Sequence, residues 1–310
     1  MAAHNLTENF SSFFKNINPS SGTEAVASRD YNTIKSLIES PIGPASELSP
    51  RCFLQGSYRQ QTAIHTLHDV DIVALCALWQ PGSGSAGIKS WPRNDIFNVI
   101  AAAIAVDAKY KSRLRFTASS MCIKVDLDLK IEVLPVVYKA GNNDYAKEPF
   151  RLFRPETNTW TDGFARNHQQ LLTLKNDLTK TGGNFIPAIK TLKHLRALHS
   201  VDSVSFHIEC LLSAIPDEIF IGQPVDYIPA VLNYISSFSA PAWFNSGIKT
   251  PCGDRMLFTP SEWSVEKWTI FHNFIANCGT VANQAVAAPS ANAAKEKWRI
   301  LLGEDYFPML

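Results

Sequence analysis

The sequence has no cysteine pair at C-x-x-C spacing. Its six cysteines, Cys52, Cys76, Cys122, Cys210, Cys252 and Cys278, are scattered along 310 residues. That excludes the usual zinc-ribbon spacing and offers no disulfide framework; half of them lie in apolar runs, as small core residues of a reducing compartment do. There is no excess of one charge. Lys and Arg number 29 against 28 Asp and Glu, for a net charge of +1. A protein that coats nucleic acid constitutively is more basic, so any RNA or DNA contact has to come from a local patch. No apolar run is long enough to span a membrane, and the N-terminus lacks the basic, apolar, small-residue order of a secretory signal. There is no internal repeat and no low-complexity tract. These absences predict a soluble, cytoplasmic chain with no membrane partner. What is present is a 45% apolar content, enough for a sizeable core and one or two domains.

The most informative stretch runs from Phe53-Leu54-Gln55-Gly56-Ser57-Tyr58 to His68-Asp69-Val70-Asp71-Ile72-Val73. A Gly-Ser pair closes one apolar run, and two aspartates sit inside the next. Ser57 and Asp69 are twelve residues apart, room for a turn, a short helix and a return strand. In a strand, residues i and i+2 share a face, so Asp69 and Asp71 present two carboxylates side by side. Such carboxylates repel unless a cation sits between them, and hard divalent cations prefer carboxylate oxygen. Gly56 allows the backbone to approach a phosphate, and Ser57 adds a hydroxyl donor. The triplet alone equally suits a strand edge with two solvated aspartates; the upstream Gly-Ser favours the metal and phosphate reading.

Periodicity sets out the remaining elements. Phe10, Phe13, Phe14 and Ile17 recur at helical spacing, and a second helix is expected from Thr23 to about Ser40 on Val26, Tyr31, Ile34, Leu37 and Ile38. Arg51–Leu54 and Val70–Leu78 read as strands, Gln80–Ser85 as a flexible loop, and Pro92–Ala108 as a helix. Lys109, Lys111, Arg113 and Arg115 would share one face of a strand, either as a solvated edge or as a ligand or RNA contact. Met121–Pro135 reads as two strands joined by a tight turn that carries Asp126 and Asp128. Beyond Val137 the strand pattern fades. From Asn167 onward the chain reads as helices: to about Lys180, Ile186–Ser200, Ser205–Ala214, Tyr227–Ser237, Ser261 to about Ala288, and Ala291–Leu302. Lys190 and Lys193 share a helix face, as a snorkelling surface pair or as a phosphate grip. Ser205 stands at a helix start, where a serine taken alone reads as a plain cap and where a phosphate contact is the functional reading. His65, His68, His194 and His207 are not spaced as a metal set.

The Gly-Ser, eleven residues, Asp-Val-Asp pattern resembles the DNA polymerase β-like nucleotidyltransferase superfamily. More narrowly, GSYRQQTAIHTLHDVDIVAL is similar to bacterial relatives of cyclic GMP-AMP synthase, the cGAS/DncV-like nucleotidyltransferases. The resemblance implies an α+β fold: a polymerase β-like core, with helices on a small mixed sheet, then a helical lobe. Residues 1–165 would hold a bracing helix and the core, with the crossover near Trp160–His168. Residues 166–310 would form the lobe that completes the nucleotide cleft. It implies a third metal-binding carboxylate three residues before a proline, a frame that Glu132-Val133-Leu134-Pro135 fits, with Glu where Asp is usual. It also implies that Gly56, Ser57, Lys190, Lys193 and Ser205 grip phosphates, Lys193 matching the family's triphosphate lysine, and that Phe206 stacks on a base. Family members often carry Gly before the threonine that is Thr62 here; this chain has Gln61.

The implied activity is synthesis of a cyclic di- or trinucleotide second messenger from NTPs, ATP among them, in CBASS-type antiphage defence. Two Mg²⁺ or Mn²⁺ ions would be held by Asp69, Asp71 and Glu132. A regulatory protein or RNA activator and a separate effector that reads the product are the implied partners. Two other readings stay open. One is transfer to a macromolecule or drug, as in tRNA tailing, AMP-adding toxins or antitoxins, and antibiotic modification; it shares the Gly-Ser and Asp-Val-Asp core but not the long helix or the later Lys-x-x-Lys and Ser-Phe-His-Ile-Glu order. The other is an inactive nucleotide- or RNA-binding relative, which has no need of three acids.

Overall fold

The computed structural model describes residues 4–66, 69–79, 91–139, 148–155 and 157–310. His68 and the expected loop at Gln80–Ser85 lie outside the described residues. In chain order the elements are α1 (Thr7–Ile17), α2 (Ser21–Ile38), β1 (Arg51–Gln55), α3 (Gly56–Arg59), β2 (Asp69–Trp79), α4 (Arg93–Ile104), α5 (Ala108–Lys111), β3 (Leu114–Arg115), β4 (Ile123–Val125), β5 (Lys130–Tyr138), β6 (Phe150–Arg154) and β7 (Thr159–Gly163). The helices α6 (Ala165–Lys175), α7 (Leu178–Thr181), α8 (Phe185–Leu198), α9 (Ser205–Ser213), α10 (Pro224–Ser237), α11 (Ala240–Phe244), α12 (Val265–Val286) and α13 (Ala291–Leu302) follow. The chain forms two compact units, one of residues 20–60 and 67–169, the other of residues 1–19, 61–66 and 170–310.

The first unit is built on a mixed sheet with the path β1-β2-β5-β4-β3. β5 is its centre. β2 runs parallel to it on one edge; on the other edge β4 pairs antiparallel with its first half and β6 with its second. A parallel pair needs a long crossover, and the segment between β2 and β5 supplies it, with α4 inside. The strands are rich in β-branched residues, and the burial of β5 alternates over its first half. Val73 and Leu75 of β2, Val136 of β5 and Phe150 of β6 pack into one apolar cluster. α2 starts where the Ser20 hydroxyl accepts from the Thr23 N–H at 3.1 Å, and it buries Ile34 and Ile38.

The second unit is helical. Its core joins Phe10, Phe13 and Ile17 of α1 to Ile189 and Leu192 of α8, Leu211 of α9, Val231 of α10, Phe271 and Ile275 of α12 and Trp298 of α13. Each such buried side chain contributes about 1.5–3 kcal/mol of transfer free energy. The Trp298 and Phe10 rings meet edge to face at 5.0 Å. This packing explains why the first 19 residues cluster with the helical unit and not with the sheet. The apolar stripe of α1 finds its partner surface on α8 to α13, far along the chain, so α1 clusters with the helical unit although it precedes the boundary expected at 165.

Two further expectations need correction. The strand pattern does not end at Val137: β6 and β7 form an antiparallel pair, Phe150↔Gly163 to Arg154↔Thr159. Their aromatic and arginine-rich sequences hid the alternation, and Arg151 is held there by Asp162 at 2.6 Å. The run from Lys109 to Arg115 is also not one strand face. Lys109 and Lys111 sit on the single turn α5, capped by the Asp107 side chain on the Lys109 N–H at 2.8 Å. Among the described residues no helix is long and apolar enough to cross a membrane.

Candidate active site

The acidic residues meet because of register. Asp71 of β2 is the direct partner of Glu132 in the parallel β2–β5 pair, and Asp69 stands opposite Lys130. Partners on neighbouring strands share a face about 4.8 Å apart, so Asp69, Asp71 and Glu132 lie on one face. Further along, the same face carries Val73 and Leu75 and, on β5, Leu134 and Val136, which enter the apolar cluster. The acids therefore occupy its open end. Asp69 is exposed, and Asp71 and Glu132 are half-buried.

Gly56 reaches the same place. Asp71 also pairs with Gln55, the last residue of β1, and the chain then turns into α3. Gly56 has a φ of +69°, and a Cβ there would lie 1.9 Å from Asp71 Oδ2. Both facts require glycine: the left-handed backbone and the carboxylate pressed against Cα. Ser57 follows on α3. Gly56, Ser57, Asp71 and Glu132 thus converge through β1, α3, β2 and β5 on one end of one sheet.

Glu132 has two companions that sequence reading did not single out. The Lys124 ammonium lies 3.0 Å from Oε1, and the Cys122 thiol donates to Oε2 at 3.4 Å. Lys124 is the cross-strand partner of Glu132 in the β4–β5 hairpin, so the hairpin register was the signal that could have found it. Burial first, then the Glu132 charge, pushes the Cys122 thiol up to about 12. The hydrogen bond to Glu132 raises the Lys124 ammonium. Among the described residues no three acidic, cysteine or histidine side chains converge on a single metal-binding point. The donors are nonetheless hard carboxylates on one face, with a glycine-lined approach, and that chemistry fits a divalent cation. Asp126 and Asp128 lie in the β4–β5 turn, as expected. Asp126 pairs with Arg115 at 3.6 Å. Asp128 lines a cavity of about 430 Å³ with Arg29, Asp30, Lys109 and Arg113, in which Lys109 is held by Asp30 at 2.7 Å.

The remaining candidates belong to the helical unit. Lys190 and Lys193 share a face of α8 but not an environment. Lys190 donates to Asn18 Oδ1 at 2.8 Å near the surface. Lys193 is only 2% exposed; its ammonium binds Glu209 Oε1 at 2.6 Å and Thr62 Oγ1 at 2.8 Å. The Thr62 hydroxyl in turn donates to the same Glu209 oxygen at 2.7 Å. In this conformation Lys193 is thereby paired with a buried carboxylate. The motif residue that sequence reading passed over is Glu209, the acid this lysine needs. Gln61, where the family often has glycine, stands at a φ of +59°. Ser205 opens α9, and its hydroxyl accepts from Arg196 at 3.3 Å. Phe206 packs partly against the helical core, with the Arg255 guanidinium 5.0 Å from its ring centre. Two of the histidines are held in the helical core: burial holds His194 near 4, so its neutral ring donates to the Leu302 carbonyl at 2.8 Å, and His207 stacks on Trp263.

The comparisons with known proteins bear on family and fold. The profile of the Second Messenger Oligonucleotide or Dinucleotide Synthetase domain matches residues 5–176, and that of the cGAS/DncV-like nucleotidyltransferase C-terminal helical domain matches residues 171–279. A cyclic UMP-AMP synthase of Rhodothermus marinus is 23% identical over 84% of this chain and 94% of its own length. The solved structure of Rhodothermus marinus CdnE c-UMP-AMP synthase aligns over 88% of this chain and 96% of that one, with a TM-score of 0.68 and 21% identity. Escherichia coli CdnC with ATP aligns over 97% and 98%, with a TM-score of 0.70 and 14% identity. On these matches the chain belongs to the second messenger oligonucleotide or dinucleotide synthetases, nucleotidyltransferases with a polymerase β-like core and a C-terminal helical domain.

Proposed function

We propose that this protein joins NTPs into a cyclic di- or trinucleotide, a second messenger of CBASS-type antiphage defence, by two-metal nucleotidyl transfer. The observation that carries the reading is the register of Asp71 with Glu132 beside the Gly56 turn. Asp69, Asp71 and Glu132 would hold two Mg²⁺ or Mn²⁺ ions. Bound there, such ions lower the pKa of the attacking sugar hydroxyl and neutralise the triphosphate and the leaving pyrophosphate. Gly56 keeps the backbone close enough for Ser57 and its neighbouring N–H groups to meet a phosphate. Ser205, Phe206 and Lys190 are the helical unit's candidates for nucleotide contact, and Lys193 serves as a positioning residue through Glu209 and Thr62. ATP is a reasonable substrate, since the related CdnC was solved with ATP. A regulatory protein is a reasonable partner, since CdnC was also solved with a HORMA protein; an RNA activator and a separate effector that reads the product complete the scheme.

The test is incubation of the purified chain with four labelled NTPs and Mg²⁺ or Mn²⁺, followed by phosphatase. A ring has no terminal phosphate and survives; linear products and NTPs do not. Label on tRNA, protein or a drug, with no phosphatase-resistant small product, sinks the proposal. The third acid is tested in the same assay. Glu132→Gln is expected to be as damaging as loss of either aspartate, Glu132→Asp to keep partial activity, and Asp126→Asn and Asp128→Asn to keep most of it. An inactive Asp128→Asn with an active Glu132→Gln would place the third ligand on the turn instead.

Gly56→Ala is predicted to slow turnover about a hundredfold, because displacement of a site group by an ångström has that order of effect. The added methyl cannot share space with Asp71 Oδ2, and the left-handed backbone adds roughly 1 kcal/mol of strain. Pyrophosphate release and a thermal melt read the two effects. A rate within threefold of wild type shows that the carboxylate can move without loss.

A further inference from the structure

Both oxygens of Glu132 are engaged by neighbours, Oε1 by the Lys124 ammonium at 3.0 Å and Oε2 by the Cys122 thiol at 3.4 Å. Lys124 and Glu132 are direct partners across β4–β5, and Glu132 and Asp71 across β5–β2. One row across three strands therefore reads Lys124, Glu132, Asp71, all on the same face. The Lys124 ammonium stands at one end of this row, and the acids do not converge on a metal point among the described residues. The Lys124 side chain is 51% exposed and that of Glu132 28%. Exposed pairs of this kind are weak and exchange readily.

We infer that Lys124 is a resident cation: it neutralises Glu132 and holds it away from Asp69 and Asp71, and a divalent ion must displace it to complete the site. The inference rests on the metal reading given above. The chemistry follows from charge and donor number. An ammonium offers three hydrogens and one charge, enough to neutralise one carboxylate. A divalent ion carries two charges and gathers several carboxylate oxygens at once. With the ion in place, Lys124 is repelled by it and released, on a flexible stem that reaches water easily. Lys124 thus acts as a positioning residue. It sets how tightly metal binds and keeps the acid row partly neutral when no metal is present.

The test reads metal binding directly. Mn²⁺ is titrated into the purified full chain without nucleotide, and free Mn²⁺ is measured by electron paramagnetic resonance. Lys124→Met keeps the stem and removes the charge; Lys124→Arg keeps the charge. The Met variant is expected to bind Mn²⁺ roughly three- to tenfold more tightly than wild type, and the Arg variant to match wild type. The gap between Met variant and wild type should narrow as salt rises and screens the ammonium. A thermal melt confirms that both variants fold, which the exposure of Lys124 favours. A folded Met variant that binds no more tightly than wild type overturns the inference and leaves the metal reading intact, provided Asp71→Asn abolishes binding. Mn²⁺ binding that is absent, or indifferent to Asp71→Asn, overturns both.

Discussion

Asp69 and Asp71 changed together to asparagine leave a folded protein whose nucleotidyl transfer is slower by a factor on the order of a thousand or more. Two formal charges leave one face of the sheet, and amide oxygens do not replace carboxylates as hard ligands. What is lost is stabilisation of the negative charge that gathers on the transferred phosphate, which is worth several kcal/mol in such sites. Folding should survive. Asp69 is exposed, and the neighbouring acids repel one another, so removal of both charges relieves repulsion. The melting temperature is expected to hold or rise while pyrophosphate release collapses. A double variant with unchanged melting and near wild-type turnover removes the acid face from the mechanism.

That face was legible in the sequence because its parts are local. Asp69-Val70-Asp71 needs only the two-residue period of a strand, and Gly56 needs only a turn. The resemblance supplied the frame Glu132-Val133-Leu134-Pro135, and the hairpin from Ile123 to Tyr138 follows from β-branched composition. Nearly all the C-terminal helices were legible for the same reason, while the α+β arrangement came from the resemblance. What stayed hidden depends on long-range partners. The Cys122 and Lys124 contacts to Glu132 require the cross-strand register of β4 and β5, which alternation alone does not fix. β6 and β7 carry arginine and tryptophan where a strand face is usually aliphatic, and their alternation becomes visible only once each has its partner. The placement of α1 depends on α8 and α13, far along the chain.

Lys193 shows how a motif match can name a residue without naming its partners. The spacing Lys-x-x-Lys puts Lys190 and Lys193 on one side of α8, and nothing in that spacing says which of them is buried. The answer lies in the third residue of the cycle: Thr62 comes from a short segment far upstream, and its hydroxyl accepts from Lys193 while donating to Glu209. A positive-φ Gln61 immediately precedes it. The segment is thus held in place by a buried charge pair at the cost of a strained backbone residue.

Glu209→Ala is expected to destabilise the protein by about 3–5 kcal/mol, because it leaves the Lys193 ammonium buried without its counter-charge. Lys193 and Glu209 side chains are 2% and 4% exposed, so water cannot compensate either one. Replacing both, as Lys193→Met with Glu209→Leu, should recover most of that loss, since well-packed apolar groups often match a buried ion pair. Thr62 would then lose both partners, a cost of about 1–3 kcal/mol for a buried hydroxyl. Adding Thr62→Val should remove it. Urea denaturation measures the series. The same triple variant separates structure from phosphate binding. If Lys193 acts only through Glu209 and Thr62, the triple variant binds a non-hydrolysable NTP within about threefold of wild type, since no charged contact to the ligand has been removed. If its ammonium leaves Glu209 to grip the triphosphate, stability returns but affinity falls tenfold or more, the order expected for losing a charge-assisted hydrogen bond.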